Sequence, residues 1–415
     1  MPAYSPRISL RSIRATKRAE VSPATRPSHK RQKAGAMPTQ TIGIIVNGAT
    51  GRIASTQHLA NALVPMIREG GLPVGEQRLL PRLLLVGRAH SRLAAVARAH
   101  DIAHWTTDLD AALASPDHAI FFDAAATAQR VPTLQKAIAA GKHVYCEKPL
   151  APSAQQALAL LQAATARGLK HGIVEDKLHL PGMRKLLAVV KTGELGRLLG
   201  FRLEFGWWVF DGSDRTCQRP SWNYRAQGGG LILDMYPHWR YVIEGIIGRI
   251  VRLSSAAWTA VPERIDENGE RYRVAVDDSA ATLVEIEGGV FGTILSSWAT
   301  RLRRDDLFTL AVDGTQGSAL AGLHRCHVQP AKATPVIAHF NVMKDIGADY
   351  RQGWNEAPPL ASYCNPYRAG WEQFLRHVAD DAPLVCDFSA GARDVAFAHA
   401  CLQSMAERAW IDMPQ

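Results

Sequence analysis

The chain has 415 residues, 47% apolar and 21% charged, with a formal net charge of +10. That length exceeds one ordinary core and suits two domains, and the composition is that of a globular protein. Residues 1–36 carry nine Lys and Arg against one acid, or +8, so the remainder holds only +2 and a basic nucleic-acid-binding face is excluded there.

Residues 1–36 have no apolar periodicity and read as a disordered basic tail, or as a stretch preceding a true start at Met37. They lack the apolar run of a secretory signal, and no later run is long and apolar enough for a bilayer span, so no membrane association is expected. The cysteines Cys146, Cys217, Cys326, Cys364, Cys386 and Cys401 are scattered without a Cys-x-x-Cys pair, as suits a cytoplasmic protein. His324, Cys326 and His327 cluster, but strand spacing turns His327 to the other face, and no metal is expected.

Residues 42–46 form a β-branched run without polar alternation, the pattern of a strand buried on both faces. It enters Asn47-Gly48-Ala49-Thr50-Gly51-Arg52, after which Ile53, Leu59, Leu63 and Ile67 recur at helical spacing. Strand, glycine turn and helix in that order present backbone N–H groups and a helix dipole to a pyrophosphate, so Gly48, Thr50, Gly51, Arg52 and Ile53 are candidate dinucleotide contacts. Val46 stands at the first glycine of the Gly-x-Gly-x-x-Gly fingerprint, and an ordinary βα turn is the alternative. A Gly- and Pro-rich insertion, residues 70–81, precedes a second strand over 83–86 that ends at Gly87-Arg88. An NAD enzyme places an acid there for the ribose diol, whereas Arg88 suits a 2′-phosphate; NADP is expected, with NAD the other possibility.

The next strand, residues 119–123, ends in the small loop Ala124-Ala125-Ala126, where Ala125 lets a cofactor lie against the backbone. A helix over 131–140 leads to a strand over 143–146 that carries Glu147 and Lys148 to the carboxyl edge of the sheet, where ligands bind. With a helix over 153–167 and a strand over 170–175, residues 37–177 read as a Rossmann domain, a doubly wound parallel sheet. Beyond it the segments 198–208, 250–260, 272–287, 290–298, 307–312 and 317–323 alternate apolar and polar residues. Residues 178–415 therefore read as an α+β domain with a large, mainly antiparallel open sheet, whose last helices, within 369–410, are expected to pack back on the first domain.

Proline is tolerated in the first turn of a helix, so the helix bearing Asp234 and Pro237 is expected to begin near Leu233. That puts Asp234 and His238 one above the other, though Asp-x-x-x-His alone equally suits a helix cap. Gly228-Gly229-Gly230 permit close approach to a ligand. Trp207, Trp208 and Trp222 lie near Arg219, Asn223, Tyr224 and Arg225 in the approach to Asp234. Flat aromatic faces beside hydrogen-bonding groups suit a sugar or cyclitol, while about half of the tryptophans are expected in the core. Candidate substrate contacts are Lys177, Trp208, Trp222, Arg225, Asp234 and His238, with Lys177 equally readable as a solvated loop lysine.

Glu147-Lys148-Pro149 after a strand, a glycine-rich first turn, and Gly229-Gly230 followed by Asp234 and His238 resemble the glucose-fructose oxidoreductase and inositol dehydrogenase family (Gfo/Idh/MocA), from about Thr41 to the C-terminus. The resemblance implies an NAD(P)-dependent oxidoreductase whose catalytic group is Lys148, Asp234 and His238, with Glu147 and Lys148 beside the cofactor and a cis Lys148-Pro149 bond. It implies a homo-oligomer, dimer or tetramer, formed through the C-terminal sheet. Where the family often has Asn-x-Arg-Phe, this chain has Glu175-Asp176-Lys177-Leu178-His179, so Lys177 takes the place of the arginine.

The expected reaction is hydride transfer between a nicotinamide and a hydroxyl or keto carbon of a sugar, sugar derivative or cyclitol. His238, with an ordinary pKa near neutrality, would take the hydroxyl proton, Lys148 would stabilise the alkoxide, and Asp234 would orient a hydroxyl or hold His238. Lys148 is the alternative proton acceptor. Two other functions stay open. The turn at Asn47–Arg52 also resembles that of dihydrodipicolinate reductases, and a non-catalytic dinucleotide-sensing protein would use the same first domain.

Overall fold

The computed structural model describes residues 37–225, 228–336, 349–359 and 362–414; the basic tail of residues 1–36 lies outside them. The first sheet is built from β1 (Thr39–Asn47), β2 (Leu72–Val74), β3 (Gln77–Val86), β4 (His104–Thr106), β5 (Ile120–Asp123), β6 (His143–Cys146) and β7 (His171–Ile173). Their order is β2-β3-β1-β5-β6-β7, with β4 beside β3. Successive side chains of β1 serve opposite faces: Ile44 and Val46 enter one apolar cluster and Ile45 the other, which is why the strand shows no polar alternation.

The insertion at residues 70–81 is not a loop. Leu72–Val74 folds back antiparallel on β3, so the sheet is parallel except for one edge hairpin. Pro81 sits inside β3, between the stretches paired by β2 and by β4, where the outer edge has no partner and a missing N–H costs no ladder bond. The helix expected after the glycine turn is present, but wound as a wide π-helix over Ile53–Leu63 before continuing as α1 (Val64–Arg68); the Val64 N–H bonds to the Leu59 carbonyl. Helices α2 (His90–His100), α3 (Leu109–Ala114), α4 (Thr127–Ala139) and α5 (Ala154–Ala166) complete the first layer set.

The second sheet follows α6 (Pro181–Lys191). Its strands are β8 (Leu198–Gly206), β9 (Ile250–Trp258), β12 (Ser279–Ile286), β13 (Val290–Ser297), β14 (Phe308–Gly314), β15 (Gly317–Ala321), β16 (Cys326–Pro330), β17 (Asn355–Glu356) and β18 (Ile411–Asp412). They run in the order β17-β16-β15-β14-β8-β13-β12-β9-β18, antiparallel except for the β8–β13 pair. The single strand expected over 272–287 is divided: β10 (Glu263–Ile265) and β11 (Arg271–Arg273) form a separate hairpin, and β12 starts only at Ser279. Side-chain hydrogen bonds explain the break. Asp277 turns out to hold the N–H of Ile232, and Asp278 binds the N–H groups of Ala260 and Val261.

One face of this sheet is covered by α7 (Leu231–Ile246) over a core that includes Trp239, Trp298 and Tyr236. The other presents Leu283, Phe291, Leu295 and Leu320 outward, each at least 37% exposed. Helix α8 (Pro366–Asp380) returns to the first sheet, its Trp371, Phe374 and Leu375 joining the cluster of Ile44, Val46 and Tyr145. Helix α9 (Phe388–Glu407) lies against α5, α7 and β9. Among the described residues no helix is long and apolar enough to cross a membrane.

Candidate active site

The chain leaves β6 through Glu147, a nearly buried carboxylate. Its Oε1 stands 2.8 Å from Nε2 of His58, and Nδ1 of that fully buried ring accepts the Trp371 indole N–H at 2.9 Å. Since indole only donates, the His58 proton sits on Nε2 and is given to Glu147. The other carboxylate oxygen accepts the Lys148 N–H at 3.2 Å. Lys148-Pro149 is a cis peptide, as the resemblance implies. On the opposite side, buried Arg130 donates to Asp123 Oδ2 at 3.2 Å, to the Ala125 carbonyl at 2.8 Å and to the Pro149 carbonyl, while Asn47 donates to Asp123 Oδ1 at 2.7 Å. One guanidinium thus joins the ends of β1 and β5 to the segment that presents Lys148.

Asp234 and His238 come from α7. The helix begins at Leu231, two residues earlier than expected, because Gly230 (φ 95°) brings the chain under Asp277, whose backbone carbonyl accepts the Leu231 N–H and whose carboxylate accepts that of Ile232. A Cβ on Gly230 would lie 2.6 Å from Asp277 Oδ1. Pro237 therefore falls inside the helix, where it leaves the Leu233 carbonyl without its usual donor. With Asp277 as the cap, Asp234 is released from that duty.

Asp234 meets Lys148 instead. Lys148 Nζ lies 2.8 Å from Asp234 Oδ1 and 2.8 Å from its backbone carbonyl. Arg219, stacked 4.8 Å above the Trp298 ring, puts Nη2 2.9 Å from Asp234 Oδ2, but without the alignment of a hydrogen bond; among the described residues that oxygen and Arg219 Nε are buried and unpartnered. Burial pushes the Asp234 carboxyl up, yet Lys148 and Arg219 outweigh it and hold the group below the usual carboxylate range.

His238 does not bond to Asp234. Its Nδ1 is 2.7 Å from Tyr241 Oη, which also accepts the Lys177 N–H at 3.1 Å and lies 3.2 Å from Asp176 Oδ1. Asp176 Oδ2 holds Lys177 Nζ at 2.7 Å. Burial pushes Asp176 up, but Lys177, the Tyr241 hydroxyl and Lys148 bring it below the ordinary range. Being an anion, Asp176 is the stronger acceptor for the Tyr241 hydrogen; Nδ1 of His238 then donates to Oη, and Nε2 keeps its lone pair. Burial, then Lys177, Lys148 and Arg219, hold His238 well below the ordinary 6.5, so the ring is neutral.

The other expected residues divide. Gly48 (φ 73°) is required, since a Cβ there would meet the Ala125 nitrogen at 2.7 Å. Gly51 hydrogen-bonds back to Gly48, and no side chain caps the helix at Arg52 and Ile53, nor does an acid occupy its first turn. These open N–H groups, the small Ala125 loop and Gly87 against Thr50 fit a dinucleotide. Arg88 is exposed just beyond β3, and Arg92, not anticipated, donates to the Thr50 carbonyl at 3.3 Å. Trp208 is half-buried under the Arg301 guanidinium, and Trp222 is 59% exposed. Arg225 is engaged at the β10–β11 hairpin, 2.6 Å from Asp266 and over the Tyr272 ring. Arg130, His58 and Tyr241 escaped sequence reading; only the spacing of Tyr241, three residues after His238, could have signalled it. Among the described residues no group of three His, Cys, Asp or Glu is placed to hold a metal ion.

The "Oxidoreductase family, NAD-binding Rossmann fold" description matches residues 44–174, and the "GFO/IDH/MocA C-terminal domain" description matches residues 183–320. A D-xylose dehydrogenase of Paenarthrobacter nicotinovorans is 40% identical over 91% of this chain and 98% of its own length. A levoglucosan dehydrogenase of Pseudarthrobacter phenanthrenivorans is 24% identical over 91% of this chain and 99% of its own. The solved structure of a levoglucosan dehydrogenase in complex with NADH and L-sorbose shares the fold, with a TM-score of 0.74 at 21% identity over 90% of this chain and 99% of that one. Matched along both sheets, and with lysine, aspartate and histidine gathered where the two meet, the chain belongs to the Gfo/Idh/MocA family of oxidoreductases.

Proposed function

We propose that the chain is an NADP-preferring dehydrogenase of a polyhydroxylated substrate of the pentose or anhydrosugar kind, with Lys148, Asp234 and His238 at the reacting centre. That it is an NAD(P)-dependent sugar dehydrogenase rests on its family and on the 40% identity spanning nearly all of a D-xylose dehydrogenase. The observation that carries the site reading is Lys148 Nζ fixed at 2.8 Å on Asp234, beside two buried atoms, Asp234 Oδ2 and Arg219 Nε, that lack hydrogen-bond partners among the described residues. A substrate hydroxyl placed there would donate to the first and accept from the second.

When bound, an oxidised nicotinamide would supply the acceptor for the hydride of the carbinol carbon. His238 Nε2 takes the hydroxyl proton, Lys148 holds the developing alkoxide oxygen, and Asp234 keeps Lys148 charged and aimed. Glu147, Gly48, Thr50, Gly51, Arg52, Ile53, Gly87 and Ala125 border the dinucleotide in this reading, and Arg88 takes the 2′-phosphate. Lys177, Trp208 and Trp222 flank the substrate in this reading. Residues 37–177 serve the cofactor and 178–415 the substrate. The apolar outward face of the second sheet supports a dimer or tetramer, and six free thiols support a reducing, cytoplasmic setting.

The test is reduction of NADP⁺ beside NAD⁺ over pentoses, hexoses, anhydrosugars and cyclitols. Turnover confined to sugars and favouring NADP⁺ supports the reading, and Arg88→Asp should move the preference toward NAD⁺. Turnover only on cyclitols would overturn the substrate class, and an unchanged cofactor ratio in Arg88→Asp would remove Arg88.

A further inference from the structure

Taking a proton makes His238 a cation facing Lys148 from the end of β6, Arg219 from the loop before α7, and Lys177 after β7. Something must offset three like charges. Behind the ring, Tyr241 Oη stands 2.7 Å from Nδ1, and Asp176 Oδ1 lies 3.2 Å from Oη and 3.8 Å from Nδ1. All three groups are buried, so the Asp176 charge is weakly screened.

We propose that Tyr241 and Asp176 are positioning residues for His238: the line Asp176–Tyr241–His238 fixes the proton on Nδ1, leaves Nε2 free for the substrate hydroxyl, and stabilises the imidazolium when it forms. The inference rests on the reading of His238 as the base. Tyr241 keeps its own hydrogen throughout, since burial and Asp176 push its hydroxyl far above the usual tyrosine range. The substrate O–H bond breaks, an Nε2–H bond forms, and that proton passes to solvent water after product leaves. Without Oη, Nδ1 has no fixed partner and the two tautomers of the neutral ring share the population. Lys177 has a second part here: its backbone N–H fills one lone pair of Oη and its ammonium holds Asp176 anionic.

The test uses the full chain with its sugar and dinucleotide. Tyr241→Phe removes one oxygen and keeps the ring; kcat should fall at least about 10-fold while both KM values stay unchanged, because general-base assistance contributes about 10²–10⁴-fold. The acid limb of the kcat profile should move to lower pH, a shift that mere packing loss does not produce. Asp176→Asn should act likewise, and the double variant should be no worse than the poorer single one, as residues acting through one another are non-additive. Unchanged kcat in Tyr241→Phe, additive losses, or a rise in KM alone would overturn the inference. His238→Asn separates the two readings: if it retains full kcat the base assignment itself fails, whereas its inactivity beside a fully active Tyr241→Phe defeats only this inference.

Discussion

Arg130 is 2% exposed and Asp123 fully buried, so replacing Arg130 by Met leaves an anion in the interior with Asn47 as its remaining side-chain donor. The Ala125 and Pro149 carbonyls lose their guanidinium donor in the same step. Breaking a buried pair from one side typically costs about 3–5 kcal/mol, against a total stability of about 5–15 kcal/mol. Guanidinium chloride unfolding at neutral pH should therefore show a large drop in midpoint for Arg130→Met. Adding Asp123→Asn, which removes the stranded charge, should restore part of it. If Ala125 borders the dinucleotide as proposed, KM for the dinucleotide should rise together with the loss of stability. A loss below about 1 kcal/mol, the range of an exposed pair, or a double variant no more stable than Arg130→Met, would refute the reasoning.

The low pKa of His238 predicts a pH profile. As the proposed base the ring must be neutral, and burial with Lys177, Lys148 and Arg219 on one side, against Asp176 on the other, delays its protonation to below 6.5. Hence kcat should stay level as pH falls through 6.5 and drop only further down; half-loss at 6.5 would contradict a buried base. On the outward face of the second sheet, Phe291→Glu should lower the oligomeric mass seen by light scattering without unfolding the chain, since Phe291 is 42% exposed in the single chain. An unchanged mass would move the interface elsewhere.

Sequence reading reached the two-sheet architecture because each half has its own period: continuous apolar runs where β1 is buried on both faces, alternation where β13 has one face outward. It also singled out Lys148 and Asp234, which stand 2.8 Å apart in the fold, and His238 on the same helix as Asp234. It erred where long-range partners decide. The edge hairpin of β2 needs an unpaired strand edge beside Pro81, and the early start of α7 needs Asp277, 43 residues beyond Asp234 in the chain. Neither leaves a local mark. The lowered pKa of His238 leaves no local mark either, because its cations come from three other segments. Arg130 and His58 carry no local signal, since their buried partners, Asp123 and Glu147, are reached only through the fold.

In the proposed reaction Lys148, held by Asp234, stabilises the charge that develops as hydride leaves. The most direct measurement is the single-turnover rate of dinucleotide reduction by sugar in Lys148→Met, with dinucleotide binding followed separately by fluorescence. The rate should fall about 10²–10³-fold, the usual cost of one preorganised donor, with dinucleotide binding retained. A rate equal to that of the unaltered protein, at the same bound cofactor, would contradict it.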